Sequence, residues 1–86
     1  MPNETANLFI EQLRSVLQTF NYDLISYDIG LTDITAIAKV PIKDLDQSQQ
    51  NILQIQFNRI INTQGWSAAA ATPKDDYLFF TLTRPL

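Results

Sequence analysis

The segment Asp76-Tyr77-Leu78-Phe79-Phe80-Thr81-Leu82-Thr83 constrains this chain more than any other stretch. Aromatic and β-favouring residues fill it, and turn-forming residues precede it, so it reads as a strand. Side chains alternate sides along a strand. Leu78, Phe80 and Leu82 therefore share one face, while Tyr77, Phe79, Thr81 and Thr83 share the other. A strand of an antiparallel sheet that is covered on one side is polar on its second face. Here the second face carries two large aromatics, so something has to cover that face too.

The remaining elements follow from periodicity and breakers. Asn3 or Thr5 can cap a first helix, and Leu8, Phe9, Leu13, Val16, Leu17 and Phe20 recur at helical spacing. Tyr22 to Ile29 and Ile34 to Val40 read as two strands around the turn Gly30-Leu31-Thr32-Asp33, and Pro41 closes the second. Asp44 with Gln47 three residues on resembles a capping box and predicts the start of a second helix. Leu45, Ile52, Leu53, Phe57, Ile60 and Ile61 form its apolar stripe, with Ile55 beside it, and Gly65 is its stop. Trp66 to Thr72 is too short for a stable helix despite its alanines. It is expected as a strand paired with Tyr77 to Thr83, across a turn at Thr72-Pro73-Lys74-Asp75.

Shifting the sequence by 44 aligns its halves without a gap. Phe9 meets Leu53, Leu13 meets Phe57, Leu17 meets Ile61, and Tyr22 meets Trp66. Ile34, Ala36 and Ala38 meet Leu78, Phe80 and Leu82, and Pro41-Ile42 meets Pro85-Leu86. The pattern predicts an αββαββ duplication with units at about 3–42 and 44–86. The expected fold is a single α+β domain over 1–86: a two-layer sandwich with a four-stranded antiparallel sheet and two helices on one face.

In that sheet Leu78, Phe80, Leu82, Ile34, Ala36 and Ala38 face the helices, and the other face stays open. The open face is expected to hold Ile25, Tyr27, Ile29, Ile37, Tyr77 and Phe79, with Ala69, Ala71, Thr35, Thr81 and Thr83 among them. Large apolar patches on soluble proteins mark interaction surfaces. With 86 residues, a second subunit often supplies part of the buried area. A homodimer through the sheet face is therefore expected, together with a protein partner. Trp66 and Arg84 are of types enriched at binding hot spots and are further candidates, although a tryptophan at the start of a strand is more often part of a core.

Composition narrows the chemistry. The chain has no Cys and no His, which removes thiol nucleophiles, disulfides, the commonest general base and the commonest transition-metal ligand. No phosphate-binding loop, dinucleotide fingerprint or nucleophile elbow occurs, so no enzyme and no cofactor are expected. Asp28, Asp33, Asp75 and Asp76 fall near the two turns, where aspartate usually bonds its own backbone; no metal is expected there. The net charge is −3 and the basic residues Arg14, Lys39, Lys43, Arg59, Lys74 and Arg84 are scattered, which disfavours nucleic acid. The amino terminus lacks a basic stretch leading an apolar run, and no apolar segment is long enough to cross a bilayer, so a soluble cytoplasmic protein is expected. These readings predict a non-catalytic interaction module of adaptor, chaperone-like or inhibitory type. The alternatives are a small-ligand binder with an apolar pocket and a nucleic-acid binder that stacks bases on Tyr27, Tyr77 and Phe79.

Overall fold

The computed structural model describes residues 4–86. Met1, Pro2 and Asn3, the last an expected helix cap, lie outside the described residues. The element order is α1 (Glu4–Thr19), β1 (Asp23–Ile29), β2 (Asp33–Pro41), α2 (Gln47–Thr63), β3 (Ser67–Ala68), β4 (Thr72–Lys74) and β5 (Tyr77–Pro85). All strand pairs are antiparallel, in the order β1-β2-β5-β3, with β4 also on β5. The protein is thus α+β, with two helices and a five-stranded sheet rather than a four-stranded one.

The extra strand comes from a slip in the alanine run. Ala68 pairs with Leu82 and Thr72 with Phe79, so four steps along one chain oppose three along the other. One additional residue is accommodated between them, and the expected strand from Trp66 to Thr72 breaks into β3 and β4. β2 occupies the whole of one side of β5, so both pieces lie along its other side. Pro73 was expected in a turn but pairs with Leu78, and the chain reverses at Asp75 and Asp76, with Asp75 at φ 56°. A proline is tolerated there because β4 pairs on one side only.

A second slip lies in β1. Leu24 pairs with Ala38 and Ser26 with Ile37, which leaves Ile25 as the unpaired residue of a bulge. Beyond it Tyr27 pairs with Ala36 and Ile29 with Ile34. Directly opposed residues share a face, and a one-residue slip exchanges faces. Tyr27 and Ile29 therefore stand on the helix side, not on the open face where the sequence pattern put them. Ile29 packs against the core there.

The helices form where expected, with shifted details. α1 buries Ala6, Ile10, Leu13 and Leu17, while Leu8 at the edge of the predicted stripe is 55 % exposed. α2 is capped by Asp46 rather than Asp44: its carboxylate accepts from the Gln49 amide at 2.8 Å, and Gln49 Oε1 accepts from the Asp46 amide at 2.9 Å. Asp44 instead sits at φ 68° in the preceding turn. Within α2, Phe57 and Ile61 are buried and Leu53 is partly so, but Ile52 and Ile55 point out.

One continuous core joins both helices to the sheet. It takes Ile34, Ala36, Ala38 and Val40 from β2, Leu78, Phe80 and Leu82 from β5, and Trp66 at the head of β3. Phe57 and Phe80 meet with ring centroids 4.2 Å apart, and Tyr22 adds a ring 5.9 Å from Phe57. Each such side chain removed from water contributes roughly 1.5–3 kcal/mol. Both helices therefore lie on one side of the sheet, and this decides where a site can be.

Candidate docking face

The open side of the sheet is built from the residues that alternate with the core. β2 supplies Thr35, Ile37 and Lys39, and β5 supplies Tyr77, Phe79, Thr81 and Thr83. The pairing adds Ser26 and Asp28 from β1, opposite Ile37 and Thr35. β4 adds Thr72 and Lys74, opposite Phe79 and Tyr77. Ile37, Tyr77 and Phe79 thus stand where the sequence pattern placed them, each partly exposed. Ile25 is 48 % exposed in its bulge.

The two ends of this face differ in relief. At one end Tyr77 and Phe79 stand with ring centroids 6.5 Å apart, and the Lys39 ammonium lies 4.0 Å from the Tyr77 centroid. Contact between a cation and the face of a ring is favourable by about 0.5–1 kcal/mol at an exposed site. Its position also leaves the Lys39 stem along the aromatic surface, where such side chains cover apolar area. At the other end a shallow concavity of about 330 Å³ opens over Ser26, Asp28, Thr35, Ile37 and Thr81, with Tyr27 and Ala36 between them along the strands. Its lining is predominantly apolar, with the Ser26, Thr35 and Thr81 hydroxyls and the Asp28 carboxylate as its polar groups on this face.

Trp66 and Arg84 are placed elsewhere. Trp66 is buried in the core at 1 % exposure and offers no surface to a partner. Arg84 is largely enclosed: its Cζ lies 3.6 Å from the Phe9 centroid, and Nη1 donates to the Gln64 carbonyl at the end of α2. A cation at a helix C-terminus complements the partial negative charge of the last carbonyls. Arg84 Nε is buried without a partner. Both residues hold the fold together.

The sequence pattern missed Ser26, Asp28 and Lys74 on the open face. The first two have a readable cause. The hairpin closes with the Gly30 amide donating to the Asp33 carbonyl at 2.8 Å, and counting back from that pair sets Ile29 against Ile34 and Tyr27 against Ala36. Turn-based register, not the alternation of β1 alone, carries the facing. Lys74 escapes the pattern because Thr72-Pro73-Lys74-Asp75 matches a turn in composition.

Among the described residues no group of three or more acidic side chains comes close enough to hold a metal ion. Among the same residues no helix is long and apolar enough to cross a membrane. No family model matches the chain, and no curated protein or solved structure matches it at a significant level.

Proposed function

We propose that this protein is a non-catalytic protein–protein interaction module that self-associates through its open sheet face. The observation that carries the reading is the Tyr77–Phe79 pair with Ile37 on a sheet face that neither helix covers. Aromatic side chains are the usual anchors of interfaces, because they bury much area at little entropic cost. The lack of Cys and His in the whole chain agrees with a role that involves no catalysis.

We also read the chain as two copies of one α-β-β unit, at about 3–42 and 44–86. Support comes from contacts that repeat at an offset of 44. The Tyr22 amide donates to Leu17 O at 2.9 Å, and the Trp66 amide to Ile61 O at 3.1 Å. The Asn21 amide donates to Gln18 O and the Gly65 amide to Asn62 O, both at 3.0 Å, and Asn21 and Gly65 both have positive φ. The bulge after Leu24 recurs after Ala68, its counterpart. Ile37 pairs with its own counterpart Thr81, so the halves meet about a local two-fold axis at the sheet centre. The exchange is reciprocal at the ends: the Ile42 amide donates to Asp76 O at 2.8 Å, and the Leu86 amide to Thr32 O at 2.9 Å.

Light scattering across a dilution series tests the association. The expected result is twice the chain mass for the natural sequence and a single-chain mass for Phe79→Asp, since a buried unpaired charge is strongly unfavourable. A single-chain mass for the natural sequence at every concentration, or an unchanged assembly in Phe79→Asp, overturns the reading.

A further inference from the structure

We draw no further inference here: the strongest candidate, the shallow concavity over Ser26, Asp28, Thr35 and Thr81 on the open sheet face, belongs to the docking face already described, and nothing in the structure shows what fills it.

Discussion

The guanidinium of Arg84 on β5 lies over the ring of Phe9 on α1, with Cζ 3.6 Å from the ring centroid. The same group donates to the Gln64 carbonyl and fills the space beside Gly65, so one side chain ties α1, β5 and the end of α2. Gly65 has φ 88°, and a Cβ there would overlap the guanidinium. Gly65→Ala is expected to cost roughly 2 kcal/mol or more, combining a disfavoured backbone with displacement of Arg84. In urea unfolding, Gly65→Ala/Arg84→Ala should lose less than the sum of the single variants, because the steric part vanishes with the arginine. Additive losses would mean that the two residues act independently.

Adjacent phenylalanines on β5 should respond oppositely to the same charge. Phe80 is buried at 1 % exposure against Phe57, and an unpaired carboxylate there costs several kcal/mol out of a total of about 5–15. Phe80→Asp is expected to be unfolded at 25 °C. Phe79 is on the open face, and Phe79→Asp should fold with a native circular dichroism spectrum and lose no more than about 1–2 kcal/mol as a single chain. Exchanged outcomes would reverse the facing of β5.

Burial raises the pKa of the Tyr22 hydroxyl above its ordinary 10.0. The folded state therefore holds that proton at pH values where the unfolded chain has released it. The unfolded state then binds fewer protons, and stability falls as pH rises. The contribution is fully present below pH 10 and is lost above it as pH climbs towards the raised value. Urea midpoints measured from pH 8 to above 10 should decline less steeply in Tyr22→Phe. Identical slopes in both proteins would assign the decline to other groups.

The two aspartates ahead of α2 are also separable. Asp46→Ala removes a capping carboxylate and should lower stability by about 1 kcal/mol. Asp44 caps nothing and holds φ 68°, so Asp44→Gly should leave stability unchanged or raise it by a few tenths of a kcal/mol. Thermal unfolding of both variants checks the order, and an equal loss in the two would put the cap in the wrong place.

Much of this architecture was legible because burial imposes strict spacing. Leu78, Phe80 and Leu82 against Ile34, Ala36 and Ala38 fixed the covered face of the two central strands, and the core residues of β2 and β5 lie there. The end of α2 followed from Gly65, which adopts positive φ. The outer strands were not legible to the same degree. An inserted residue changes register without changing composition, so Ile25 and the alanine run gave no local warning, and Tyr27 and Ile29 were assigned to the wrong side. In α2, Gln50 and Gln54 are half-buried while Ile52 and Ile55 are exposed, an inversion that a hydrophobic pattern misreads. The candidate site kept Ile37, Tyr77 and Phe79, gained Ser26, Asp28 and Lys74, and lost Trp66 and Arg84 to structural tasks.

The slips that obscured the outer strands also govern what the sheet's margins can do. Along one margin the unbroken run is Ser26 to Ile29, and along the other it is two residues of β3 and three of β4, with Pro73 among them. Fibrous stacking of strands uses uninterrupted segments of about six or seven residues without proline. Neither margin offers one, and bulged, proline-bearing edges are poor templates for a further strand. Side-to-side growth of crowded copies into filaments is thereby disfavoured.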